Sequence, residues 1–212
     1  MKNSAKKIAE YLLQINAIKL QPSNPFTWAS GWKSPIYCDN RKTLSFPEVR
    51  GFICESFTGL IRELYPEAES IAGVATGAIA HGALVAERLG LPFIYVRSGA
   101  KEHGLGNQIE GYFEPGQKVV VVEDLISTGG SSLGAVRALR EAGVEVLGMT
   151  AIFTYEFSKA SDAFAAGNCA LNTLSNYSVL IETAAETGYV TGKDISTLKE
   201  WRANPSEWGK NN

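Results

Sequence analysis

The chain has 212 residues, 45% of them hydrophobic, enough for one substantial core or a core with a small appended lobe. Its formal net charge of −2, with no concentrated lysine and arginine face, argues against general binding to nucleic acid or acidic membranes and in favour of small ligands. Cys38, Cys54 and Cys169 are odd in number, far apart and free of any C-x-x-C pair, so they read as reduced buried thiols and not as a disulfide framework or a zinc site.

In chain order, Ser4 to Asn16 sets Ile8, Tyr11, Leu12 and Ile15 at helical spacing, which predicts an amphipathic helix. Met1 to Tyr11 lacks the apolar run and cleavage site of a signal peptide, and no stretch reaches membrane-spanning length, so the expected location is the cytoplasm. Pro22 to Pro35 shifts to Pro, Ser, Gly and aromatic residues, the composition of a short hairpin lobe. Pro47 opens a helix that carries Val49, Phe52, Ile53, Phe57, Leu60 and Ile61 and stops near Tyr65-Pro66. Strands and helices then alternate: strand Ser70 to Ala75, helix Gly77 to Leu89, strands Leu91 to Arg97, Gln108 to Phe113 and Lys118 to Glu123, helix Ser131 to Ala142, strand Val144 to Thr154. Helices over Ser158 to Ala166, Ser175 to Ala185 and Asp194 to Ala203 complete the chain. This order implies right-handed βαβ crossovers and an α/β fold with a central parallel sheet flanked by helices.

The most informative stretch is Val119 to Ser132, where four valines run into Glu123, Asp124, four hydroxyls and the Gly129-Gly130 pair. The valines predict a strand buried on both faces, which puts the acids and the glycine pair at its carboxyl end, where open α/β sheets bind ligands. The glycines suit a turn with inward amides, and Ser131 or Ser132 suits a helix cap. Two acids beside such a turn would repel a phosphate alone. A phosphorylated ribose fits both, its diol on the carboxylates and its phosphate on the turn. An ordinary polar loop, or acids favoured by a helix N-terminus, is the plainer alternative.

Three further stretches stand out. Tyr95 to Asn107 comes after a strand, carries Arg97, Lys101 and His103, and has glycines suited to a mobile lid over an anion. Gly73 to Ile79 is a strand end entering a helix, with amides for a second anion, although small residues also serve close packing. Ser30 to Tyr37 carries Ser30-Gly31 and Ser34-Pro35-Ile36-Tyr37. His81 reads as a core or helix-surface histidine, and neither G-x-x-x-x-G-K-[ST] nor G-x-G-x-x-G occurs.

Val119 to Ser131 resembles the phosphoribosyl pyrophosphate (PRPP) signature of type I phosphoribosyltransferases. Arg97, Lys101, His103 and Gly104 are similar to the Arg-x-x-x-Lys-x-His-Gly loop of orotate phosphoribosyltransferases, and Ser30 to Tyr37 resembles the segment of their N-terminal hood. The resemblance implies a Rossmann-like type I phosphoribosyltransferase core (about 46–175), a hood mainly within 1–45, and C-terminal helices (about 176–212). It implies conversion of orotate and PRPP to orotidine 5′-monophosphate and pyrophosphate with Mg²⁺, in pyrimidine biosynthesis. Arg97, Lys101, His103, Glu123, Asp124, Leu125, Ile126, Ser127, Thr128, Gly129, Gly130 and Ser131 would bind PRPP. Lys101, His103 and Asp124 would be catalytic, Ser127 would contact orotate, and Thr76 and Gly77 would form the pyrophosphate loop. Mg²⁺ would be held through PRPP with Glu123 and Asp124. A homodimer sharing its lid loop across subunits is implied. The chain departs from some members of the family at Ala29 and Gly77, where those have lysines, and after Thr154, where they have an arginine. A purine transferase of the same fold and a non-catalytic PRPP sensor are the alternatives.

Overall fold

The computed structural model describes residues 2–28, 30–97, 99 and 108–209. Helix α1 (Lys2–Gln14) leads into β1 (Ile18–Leu20), β2 (Phe26–Thr27), β3 (Lys33–Ser34) and β4 (Ile36–Cys38), and then a 3-10 turn (Asn40–Ser45). Then come α2 (Pro47–Leu64), β5 (Ser70–Val74), α3 (Ile79–Leu89), β6 (Phe93–Val96), β7 (Ile109–Glu110), β8 (Lys118–Ile126), α4 (Gly130–Glu141) and β9 (Glu145–Thr154). The chain closes with α5 (Ser158–Ala166), β10 (Leu171–Asn176), α6 (Tyr177–Glu186) and α7 (Gly192–Ala203).

Local chemistry sets the helix ends. Pro47 opens α2, where its missing N–H costs no helical bond. Gly90 closes α3 at φ 69°. Asn176 Oδ1 accepts from Val179 N at the start of α6, and Thr191 with Asp194 forms a capping box for α7.

The main sheet runs β10-β9-β8-β5-β6-β7, parallel throughout except that the edge strand β7 is antiparallel to β6. At its centre Val119 to Val122 are fully buried. Val120 and Val122 join the cluster of Ile8, Leu12, Ile53 and Phe57 from α1 and α2, whereas Val119 and Val121 join that of Leu133, Val136 and Phe164 from α4 and α5. Alternating side chains on a strand reach opposite faces, so a sheet covered on both sides needs every position apolar. Burying each valine stabilises the fold by roughly 1.5–3 kcal/mol.

Antiparallel pairs β1 with β4 and β2 with β3 form the N-terminal hairpins. An aromatic cluster pins them to the core: Trp28 lies 5.2 Å from Tyr155 and 5.6 Å from Trp201, ring centre to ring centre. Trp201 is fully buried, so α7 is held by the same cluster.

The structure corrects four expectations. Strand β8 does not end at Glu123 but continues to Ile126, pairing Leu125 with Phe153 and Ile126 with Thr154, so the two acids lie within the strand. The strand expected over Gln108 to Phe113 is only Ile109–Glu110, because Gly111 at φ 108° packs against Ile94 and turns the chain away. Residues 171–174, for which the sequence predicts no element, begin β10, and Ser175 and Asn176, expected in a helix, end that strand. Neither Ser131 nor Ser132 caps α4: Gly129 takes the cap position at φ 81°, and Ser132 turns inward.

Candidate active site

The carboxyl ends of β5 and β8, with the 3-10 turn and β4, enclose a cavity of about 410 Å³. A second cavity of about 260 Å³ adjoins it beneath the hairpins, and Cys38 and Leu125 line both. A larger groove of about 590 Å³, between α1, α2 and α6, is lined by Glu55, Glu63, Glu182 and Glu186 against the single cation Lys6, an acid excess that disfavours anions.

The acid pair divides by the period of the strand. Glu123 is 5% exposed, and its carboxyl accepts hydrogen bonds from Ser132 Oγ and the Asp124 amide, each at 2.9 Å. Burial pushes it up to about 9, with the neighbouring Asp124 side chain adding to the effect, so Glu123 holds a proton at neutral pH. Asp124 is partly exposed and lines the larger cavity. Gly77 faces it so closely that a Cβ at 77 would overlap the Asp124 carboxyl. Gly73 plays a different part: a Cβ there would meet Ala78 O at 3.0 Å and the Phe93 ring at 3.1 Å, so its smallness serves strand-helix packing.

The turn after β8 needs a glycine at 129 twice over. Its φ of 81° is left-handed, and a Cβ there would lie 2.9 Å from the Phe164 ring. Helix α4 starts at Gly130, so the amides of its first turn have no carbonyl partner within the helix and point past the turn. Ser131 lines the larger cavity and Ser127 the smaller one. Ile126 is fully buried, so only its backbone is available to a ligand.

Other candidates fall differently. Thr76 and Gly77 wall the larger cavity. Arg97 is not among its lining residues: its guanidinium lies 3.6 Å from Glu110 on β7, and its backbone pairs with Gln108. Lys101 and His103 lie outside the described residues, as does Ala29. The segment after Thr154 carries no arginine, and its one cation, Lys159, is exposed and does not line either cavity. Instead Glu156 binds Ser178 and Arg202, tying the end of β9 to α6 and α7.

Tyr37, in the Ser30 to Tyr37 segment, is open to a sequence reading as a pocket residue, and the other site residues that follow are not. The smaller cavity is walled by Thr27, Trp28, Tyr37, Cys38 and Tyr155 in addition to Leu125 and Ser127. Trp28 is fixed by Nε1 donating to Ile36 O at 3.0 Å, and burial pushes the Cys38 thiol and the Tyr155 hydroxyl well up. Asn40 is buried and donates through Nδ2 to the Asp124 carbonyl at 2.6 Å, holding the 3-10 turn on β8. Thr43 Oγ1 donates to Asn40 O at 2.6 Å and stands 3.0 Å from His81 Nε2. The hydroxyl has spent its proton, so His81 Nε2 carries the hydrogen and Nδ1 is bare. Burial lowers His81 to about 4, in keeping with that neutral tautomer.

A parallel sheet whose strand ends carry a carboxyl, a glycine turn into a helix and an adjoining aromatic slot defines an α/β protein with its cavities at the carboxyl ends of the strands, where open sheets of this class bind ligands. The family model described as phosphoribosyl transferase domain matches residues 58–182. An orotate phosphoribosyltransferase of Bacteroides fragilis is 59% identical over 208 residues, 98% of each chain. One from Bacillus caldolyticus is 61% identical over 202 residues, 95% of this chain and 98% of its own. Among solved structures, the orotate phosphoribosyltransferase of Aeropyrum pernix has a TM-score of 0.76 at 26% identity, covering 87% of this chain and 99% of that one. The chain belongs to the phosphoribosyltransferase family, among its orotate phosphoribosyltransferases.

Proposed function

We propose that the chain transfers the phosphoribosyl group of PRPP to orotate, releasing pyrophosphate and forming orotidine 5′-monophosphate, a step of pyrimidine nucleotide synthesis. The observation that carries this reading is the pair of adjoining cavities, one polar and one aromatic, in a chain similar over nearly its whole length to orotate phosphoribosyltransferases.

As the bond from the anomeric carbon to pyrophosphate breaks and the bond to the base nitrogen forms, positive charge builds on the ribose ring and negative charge on the leaving group. Stabilisation then comes from charge placement and not from a protein nucleophile. Asp124 accepts from the ribose hydroxyls and faces the developing cation. Glu123 lies behind it, buried against Ser132. Leu125 to Ser131, through the turn amides and the hydroxyls of Thr128 and Ser131, receive the 5′-phosphate, and Thr76 and Gly77 meet the pyrophosphate. The base lies in the aromatic slot with Ser127 as its polar contact. Arg97, Lys101 and His103 form a lid over the leaving group, with His103 as proton donor, shared between the subunits of a homodimer in the cytoplasm.

Mg²⁺ fits this donor set. The described residues hold no group of three or more His, Cys, Asp or Glu suited to caging a metal, and Mg²⁺ usually binds through one or two carboxylates plus substrate phosphates. Asp124, and Glu123 once it loses its proton, would hold it together with PRPP. Held there, the ion would supply Lewis-acid neutralisation of the leaving group.

Asp124→Asn tests the assignment. Turnover is expected to fall about 100-fold or more with the melting temperature retained, in line with loss of one preorganised charge contact. Full turnover in this variant would remove Asp124 from the site. Lys101→Ala should depress single-turnover rates, and an unchanged rate would remove the lid assignment.

A further inference from the structure

The charged residues lining the larger cavity, among those described, are Asp39, Arg41, Glu123 and Asp124. A pyrophosphate entering it meets carboxyls on several sides and a single guanidinium. Arg41 comes directly after Asn40 in the 3-10 turn, and that turn is bound to β8 through Asn40 and the Asp124 carbonyl, and through Thr43 and His81 to α3, the helix that follows Thr76 and Gly77. The base of the side chain is therefore fixed relative to Asp124 and Gly77. The side chain itself is 61% exposed, and its hydrogen bond to Asp39 Oδ1, at 2.6 Å, uses Nε. Its two terminal nitrogens offer the forked donor edge that suits phosphate oxygens.

We infer that Arg41 is a substrate-binding residue whose guanidinium meets the pyrophosphate group of PRPP, and the pyrophosphate product, in the cavity that Thr76 and Gly77 also line. The inference rests on the reading that this cavity holds PRPP. An exposed ion pair between neighbours two residues apart contributes little to stability and gives no reason for the guanidinium to line the cavity. A pyrophosphate gives one: it brings charge into a cavity otherwise lined by acids, and a long side chain on an anchored base reaches it without moving the backbone.

The test is calorimetric binding of inorganic pyrophosphate with Mg²⁺ to the full chain and to Arg41→Ala and Arg41→Lys, with KM for PRPP and orotate measured alongside. Arg41→Ala is expected to weaken pyrophosphate about 10- to 100-fold, the range of one charge-assisted hydrogen-bonding contact. The KM for PRPP should rise in parallel while the KM for orotate and the melting temperature stay within error. Arg41→Lys should recover part of the loss, since it restores the charge without the fork. If the parent chain binds pyrophosphate and Arg41→Ala binds it equally well, the inference about Arg41 fails while the PRPP reading stands. If the parent chain binds neither pyrophosphate nor PRPP, the PRPP reading itself fails. Equal losses for orotate and PRPP with a lowered melting temperature would mark a merely structural residue and overturn the inference.

Discussion

Replacing Glu123 by glutamine should stabilise the ligand-free protein, by an amount that grows with pH. Glu123 is buried against Ser132 and Asp124, and its folded value of about 9 stands above the ordinary 4.5. Between those values the folded chain keeps the proton and the unfolded chain releases it, so the unfolded state gains as pH rises. The penalty is absent below pH 4.5, accumulates through the window and levels off above about 9. At pH 7 the interval from 4.5 spans about 2.5 pH units, and at about 1.36 kcal/mol per unit the cost is on the order of 3 kcal/mol. Glutamine has the same shape, cannot ionise, and keeps an oxygen for the Asp124 amide and a nitrogen to donate to Ser132 Oγ. For a chain of this size, 3 kcal/mol corresponds to a rise of about 6–12 °C in Tm. Urea unfolding of both proteins from pH 5 to 8 measures the difference directly. A difference that is flat with pH, or a variant less stable at pH 8 than the parent, would show that Glu123 is ionised in the free protein and refute the argument.

His81 works with the opposite sign. Its folded value of about 4 lies below the usual 6.5, so stability is lost as pH falls from 6.5 to 4, and His81→Gln should remove that acid-side slope in the same unfolding experiment. Because Glu123 and His81 oppose each other between about pH 4.5 and 6.5, each is read from the variant's difference and not from the parent profile. Gly129→Ala should cost about 1–3 kcal/mol through left-handed strain and the Phe164 contact and should raise the KM for PRPP, as checked by urea midpoints and steady-state kinetics. Trp28→Ala should raise the KM for orotate about tenfold or more with a smaller change for PRPP, a contact loss of roughly 1.4 kcal/mol or more, while Trp28→Phe keeps most of the aromatic wall.

Periodicity makes the sheet legible where burial is uniform. The four valines of β8 announce a strand covered on both faces, and both faces are covered. Periodicity fails where a strand has one neighbour: β10 reads Leu-Asn-Thr-Leu-Ser-Asn, polar on a half-buried edge, and pairs only with β9. The end of β8 escapes it because acids usually mark a loop, whereas Glu123 is accommodated inside the sheet by holding a proton and by Ser132. At the site, the glycine turn and the acid pair are local in sequence and can be read there. Asn40 cannot, since its partner is 84 positions away and its side chain gains meaning only once the 3-10 turn rests on Asp124. Nor can the aromatic slot, in which Trp28 and Tyr155 meet from distant parts of the chain.

The central claim is that the two adjoining cavities bring PRPP and orotate together for reaction, and the most direct measurement records orotate loss and pyrophosphate release by the full chain with PRPP and Mg²⁺. Orotate should disappear with one pyrophosphate released per orotate consumed, and omitting PRPP should abolish both signals. No loss of orotate under these conditions, with turnover of adenine or hypoxanthine instead, or PRPP binding with no pyrophosphate release for any base, would contradict the account.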